Sequence, residues 1–158
     1  MIEVQKEVYV TLFSRTKSGL SQDWSLDVQT SITSQVSFLD NGILFGTQSG
    51  KIICIDFEGK ISWTYDSSSD MNETEKLFVD EENASSIIST PLVDKTNIFF
   101  GTENGEIHCI DHQGKLSWKQ KLDGAIRGTP TIAKDDETGV AQLIVGTIDG
   151  SVYMIGLD

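Results

Sequence analysis

The chain has 158 residues, 38% hydrophobic and 23% charged, enough for one domain with its own core. Its formal net charge of −12 repels phosphate backbones and anionic membrane surfaces, which argues against nucleic acid or a lipid surface as partner. No apolar run reaches the length of a membrane-crossing helix, and the opening MIEVQKEVYV lacks the basic start, apolar stretch and cleavage site of a secretory signal. The compartment is therefore read as cytoplasmic or as that of a trimmed extracytoplasmic domain.

Taken in chain order, residues 1–28 hold two strands, EVYVTLF and SQDWSLD, the second carrying Trp24. Residues 29–66 hold four. ITSQVSFL leads through Asp40-Asn41-Gly42 to ILFGT, the turn at Gly50 leads to KIICID, and the turn at Glu58-Gly59 leads to KISWTY. Gly-containing turns between alternating runs are hairpin signals, because the turn residues need positive φ. Alternation places Ile61, Trp63 and Tyr65 on one face of the last strand. Residues 67–86 form an acidic insertion. It contains Met71 to Glu82, where a turn or two of helix is expected, and Leu77-Phe78-Val79, an apolar patch able to dock a partner. Its carboxylates do not follow the spacing of a calcium loop and read as solvated. Asn72 and Asn83 match the glycosylation tripeptide, which is common by chance.

Residues 87–123 repeat the unit of 29–66. IISTPLV, IFFGT, the turn at Gly105, EIHCID, the turn at Gln113-Gly114 and KLSWKQKL follow one another, and Leu116, Trp118 and Leu122 are expected on one face. Residues 124–158 hold three strands of a further unit, IRGTPTIA, LIVGT and SVYMIG, with the turn at Gly150. Pro91 and Pro130 fall at matching places near the start of a first strand, where a missing N–H is tolerated. Gly46, Gly101 and Gly146 mark the repeat at intervals of 55 and 45 residues, the spacing of propeller blades. The pattern predicts an all-β chain of about 13 strands: a β-propeller of four-stranded antiparallel blades in an incomplete ring, about three to four blades per chain. It is one domain or half-propeller.

Candidate chemistry is sparse. Cys54 and Cys109 occupy the same place in two units. Equivalent atoms of stacked sheets lie about 10 Å apart, and a disulfide needs Cα atoms within roughly 7 Å, so two free buried thiols are expected, as in a reducing compartment. His108 and His112 replace Ile53 and Phe57 of the sister unit. Strand geometry points His108 away from Cys109, so the pair reads as two partly exposed histidines near a turn rather than a zinc site. Asp56 and Asp111 end strands just before turns, where a carboxylate accepts backbone N–H bonds. Lying on separate sheets, they are not a catalytic pair.

The pattern FGTxxGxIxCIDxxGKxSW resembles the repeat of pyrroloquinoline-quinone-type β-propellers. Gly-Thr precedes the hairpin, Asp56 and Asp111 stand at the family's aspartate, and Gly59 with Trp63 and Gly114 with Trp118 complete the motif. Cys54 and Cys109 replace the usual alanine, and the third unit departs with Met154 and Gly156. The resemblance implies that Trp24, Trp63 and Trp118 dock between blades against the next blade's glycine region, with Gly46, Gly101 and Gly146 as docking glycines and Gly50, Gly105, Gly150, Asp56 and Asp111 as turn residues. It also implies a split in function. Some members oxidise alcohols or sugars with a quinone, a calcium ion and an aspartate base, many with a disulfide between adjacent cysteines. Others, including a bacterial outer-membrane assembly lipoprotein, carry no cofactor and act as scaffolds. This chain has no adjacent cysteines and is short for the enzymes' ring. It is therefore expected to be a non-enzymatic scaffold binding protein partners, with no catalytic residue, metal or cofactor. The alternatives are a fragment of a quinone-dependent dehydrogenase and an extracellular sensor domain of a membrane receptor. Three blades are fewer than the four to eight of known rings. Either the blades belong to a longer propeller, or copies of the chain complete the ring, two copies giving six to eight blades.

Overall fold

In a computed structural model, residues 7–69 and 86–157 are described. The expectations for the acidic insertion (its helical turn, the Leu77-Phe78-Val79 patch, Asn72 and Asn83) lie outside them. Hairpin turns split the described chain into 13 strands: β1 (Tyr9–Thr16), β2 (Gly19–Asp27), β3 (Ser37–Leu39), β4 (Gly42–Gly46), β5 (Lys51–Asp56), β6 (Ile61–Asp66), β7 (Leu92–Val93), β8 (Asn97–Gly101), β9 (Glu106–Asp111), β10 (Leu116–Lys121), β11 (Thr131–Lys134), β12 (Ala141–Gly146) and β13 (Val152–Leu157). They pair into four antiparallel sheets in simple up-and-down order: β1-β2, β3-β4-β5-β6, β7-β8-β9-β10 and β11-β12-β13. The all-β propeller architecture expected from the sequence is that of the structure, but the first strand of each unit is shorter than read: ITSQVSFL is paired as a strand only over Ser37–Leu39, IISTPLV over Leu92–Val93, and IRGTPTIA gives Thr131–Lys134.

Each sheet is a blade, and the core lies between blades rather than within one. Alternation along β4 and β5 sends Leu44, Ile52 and Cys54 to one side, where they meet Ile98, Phe100 and Ile110 of the third sheet and its lead-in Ile87. It sends Phe45, Ile53 and Ile55 to the other side, against Val10, Trp24 and Leu26 of the hairpin. The third sheet likewise turns Phe99, Ile107 and Cys109 toward Leu143 and Val145 of the last sheet. The two central sheets therefore have a neighbour on both faces and the two end sheets on one, although Phe38, on β3 of the second sheet, stays exposed. Pro91 and Pro130 immediately precede β7 and β11.

One register feature departs from simple alternation. In β6, Trp63 pairs with Cys54 but Ile61 pairs with Ile55, so Ser62 is a one-residue bulge. In β10, Trp118 pairs with Cys109 and Leu116 with Ile110, leaving Ser117 as the bulge. A bulge flips the face of what precedes it. Leu116 consequently packs toward the second sheet while Trp118 and Leu122 pack toward the last one, not on a shared face. Ile61 is exposed although Trp63 and Tyr65 are packed. The same device occurs in β2, where Leu12 pairs with Trp24 and Phe13 with Gln22, leaving Asp23 unpaired. All three tryptophans thus follow a bulged residue, which aims the indole out of its own sheet toward the next one.

Candidate functional site at the blade joints

Trp24 lies on Gly59 of the second sheet, and Trp63 on Gly114 of the third; a Cβ on either glycine would come within 2.5 Å of the indole. Gly59 and Gly114 have φ of +83° and +78°, so the turn needs glycine for its backbone as well as for the ring above it. Trp24 Nε1 also donates a hydrogen bond to the Phe57 carbonyl at 3.0 Å. Asp56 and Asp111 hold these same turns. Asp56 Oδ1 accepts from the backbone N–H of Glu58 (3.0 Å) and Lys60 (2.8 Å). Asp111 Oδ1 accepts from Gln113 and Lys115, both at 2.9 Å. The carboxylates are turn braces, each committed to its own blade.

Gly46 and Gly101 are joint residues of a different kind. A Cβ on Gly46 would run into Ile87, and one on Gly101 into Ile126, each isoleucine belonging to the segment that enters the next blade. The backbone stitches the same place, since Ile87 N–H donates to Thr47 C=O and Ile126 N–H to Thr102 C=O, both at 3.0 Å. The threonine hydroxyls face inward and accept from Lys51 N–H and Glu106 N–H at 3.0 Å, closing the hairpins whose turns place Gly50 and Gly105 at φ of +76° and +84°. Gly150 repeats that turn with φ +95°. Gly146, expected to dock a blade, meets nothing within 4 Å of where a Cβ would stand. Sequence reasoning missed Ile87 and Ile126. Their signal was faint, an isoleucine two residues before a Ser or Gly at the head of each unit.

The histidine reading needs correction. His108 is fully buried, not partly exposed. It stacks on Phe100 with ring centroids 5.2 Å apart, its Nδ1 lies 3.0 Å from the Tyr65 hydroxyl of the preceding blade, and its Nε2 lies 3.4 Å from Glu106 Oε2. Glu106 Oε1 in turn lies 3.9 Å from Lys119 Nζ. The carboxyl of Glu106 is held below its ordinary range, chiefly by His108 beside it. A polar wedge therefore sits inside an otherwise apolar joint. Its position is that of Ile53 in the sister blade, and the pattern alone gave no hint that Tyr65 would reach it. His112 is half-buried and hydrogen-bonds the Asp94 carbonyl through Nε2 at 2.8 Å. Cys54 and Cys109 are free and buried, and burial pushes the Cys109 thiol up to about 11.

Trp118 faces a cleft of about 440 Å³ between the third and fourth sheets, lined also by Phe99, Ile132, Ala141, Gly156 and Leu157. Neither Gly146 nor Gly150 nor Gly156 of the last sheet and its turn has Trp118 among the first atoms its Cβ would meet. A quinone with calcium would need oxygen ligands gathered at one point. Among the described residues no three His, Cys, Asp or Glu side chains converge on one point.

Comparison with known proteins agrees with this architecture. The family model described as outer membrane protein assembly factor BamB, of the pyrroloquinoline-quinone repeat type, matches residues 9–90 and again 81–156. No curated protein matches. Among solved structures, Sqt1 of Saccharomyces cerevisiae aligns with a TM-score of 0.64 at 14% identity, covering 94% of this chain and 40% of that one. BBS1N, solved in complex with ARL6DN, aligns at 0.63 and 12% identity over 95% and 47%. The quinohemoprotein alcohol dehydrogenase ADHIIG of Pseudomonas putida HK5 aligns at 0.58 and 16% identity over 86% and 25%. The chain thus spans less than half the length of each of these structures, and at such identity the likeness is one of fold. With two overlapping matches that take in most of its length, and with indole-on-glycine joints between its blades, the chain belongs to the family of pyrroloquinoline-quinone-type repeat β-propellers.

Proposed function

We propose that this chain is a non-enzymatic propeller module whose open blade faces bind protein, a second copy of itself included. The observation that carries the reading is the apolar surface at both ends of the blade stack. Val152 (70% exposed) and Met154 (63%) face outward from the last sheet, and Phe38 (70%) stands beside the hairpin on the outward side of the second. Soluble surfaces rarely keep such residues grouped unless something covers them. The family match to an assembly factor and the fold shared with BBS1N, solved with a protein bound, support a binding role.

The test uses the purified chain and Phe38→Asp. Cross-linking in extracts of the source cell should recover a discrete partner with the native chain and lose it with the variant, whose circular dichroism stays unchanged. A competing reading, a piece of a quinone-dependent dehydrogenase, draws on the likeness to the alcohol dehydrogenase. Saturable binding of pyrroloquinoline quinone with calcium, and dye reduction by alcohols or sugars, would replace the scaffold reading with it.

A further inference from the structure

The joint that holds this molecule together occurs twice complete and once in two halves. A complete joint is a fourth strand whose tryptophan follows a bulge and lies on the next blade's turn glycine: Trp24 on Gly59, Trp63 on Gly114. The third joint has its tryptophan, Trp118, in the wall of the cleft that Gly156 and Leu157 also line. Its other half is at the opposite end of the chain. Gly19 opens β2, the strand with the bulge at Asp23, and nothing lies within 4 Å of where its Cβ would be. Leu20 beside it is 73% exposed.

Among the described residues β13 pairs with β12 alone, so one edge is open where β5 and β9 each carry a fourth strand. The register of that missing partner can be written down. Trp63 pairs with Cys54 and Trp118 with Cys109, and Met154 aligns with those cysteines. Within the hairpin, Leu12 of β1 takes this place opposite Trp24. β1 and β13 are therefore alternative partners for the same strand.

We propose, resting on the binding reading above, that two copies exchange β2. Each β2 leaves its own β1 and lies along β13 of the other copy, with Trp24 opposite Met154 and Leu26 opposite Val152, and the turn at Gly19 closes the cleft on Trp118. Trp24 keeps its seat on Gly59 of its own chain. The exchange thus continues an interface already present and brings the outward face of the last sheet, Ile144, Val152 and Met154, against that of the partner's second sheet, Phe38 and Ile43. Each chain then contributes three four-stranded blades, and two chains close a ring of six, within the range of stable propellers. The two contacts are equivalent by the two-fold axis, so the ring closes at two chains, and β1, which pairs with β2 alone in the single chain, is released from its hairpin.

The experiment is light scattering of the 158-residue chain over a hundredfold concentration range, with two companion measurements. The native chain is expected at twice its 17.4 kDa. Met154→Lys, at a side chain exposed in the single chain, is expected to run as a folded monomer. Mixing Val152→Cys with Leu26→Cys under mild oxidation is expected to give a disulfide between the two variants, since the exchanged register sets those residues opposite each other. A native chain that stays monomeric throughout overturns the proposal. So does a dimer unaffected by Met154→Lys, or one in which Val152→Cys links only to its own kind. A monomer that still binds another protein through Phe38 overturns the exchange and leaves the scaffold reading standing.

Discussion

Cys54 and Cys109, at the same place on β5 and β9, show what burial does to a side chain with latent chemistry. Each is 1% exposed, and desolvation disfavours the thiolate, raising both thiols above their ordinary range. A disulfide-exchange reagent at pH 8 should therefore titrate no thiols in the folded chain within minutes and two after denaturation; rapid reaction of either in the native state would show the joints to be open. Glu106 carries the opposite shift. Its carboxyl sits below the ordinary 4.5, first through His108 and also through Lys119, against the effect of burial. A depressed carboxyl adds stability above the unfolded value and loses it as pH falls through the folded one. The urea midpoint of the native chain should accordingly fall as the pH drops below about 4.5, and Glu106→Gln should flatten that fall while leaving the neutral-pH slope with denaturant unchanged. His108→Ala removes a buried ring together with its hydrogen bond to the Tyr65 hydroxyl, a loss of about 2–4 kcal/mol.

At the scale of the element, the turn and the indole above it can be separated by choosing glycines with the same backbone demand. Gly114 and Gly150 both have φ in the left-handed region, +78° and +95°, so alanine strains either. Only at Gly114 would the new methyl also meet the Trp63 ring. Gly114→Ala should therefore lower the melting temperature clearly more than Gly150→Ala, and in a Trp63→Ala background, itself costing about 3–5 kcal/mol, the difference between the two should shrink. Much of this element was legible beforehand. Glycines mark the turns, and Gly50, Gly59, Gly105, Gly114 and Gly150 take positive φ, but Gly42 of Asn41-Gly42 does not and neither Asn104 nor Asp149 does, so the pairs located turns without giving their type. A repeated Gly-Lys-x-Ser-Trp marks where strands begin. The bulge before each tryptophan was not legible, because one extra residue in a strand leaves composition untouched and shows only in the pairing. The Tyr65–His108 contact was hidden for a different reason. It joins residues 43 apart in sequence on two sheets, and nothing local in either strand encodes their meeting.

For the whole molecule, stacking blades one upon the next makes stability a sum of blades and joints, as in other repeat proteins. The two central sheets bury apolar side chains on both faces, and fully covered phenylalanines and isoleucines (Phe45, Ile55, Phe99, Phe100, Ile110) are drawn from them. The hairpin and the last sheet have a neighbour on one side only and keep exposed residues such as Phe13 and Met154. Strands with fewer buried contacts open at lower free energy, so amide hydrogen exchange should run in layers. In chain held monomeric by Met154→Lys, amides of β5 and β9 are expected to outlast those of β1 and β13 by at least tenfold, which corresponds to about 1.4 kcal/mol in opening free energy. In the native chain at high concentration, β13 and β2 should gain protection while β1 loses it, because β13 and β1 compete for one strand. Uniform protection across all four sheets of the monomer would mean that the end sheets are held by something other than their single joints, and the additive picture of blades would fail at its first step.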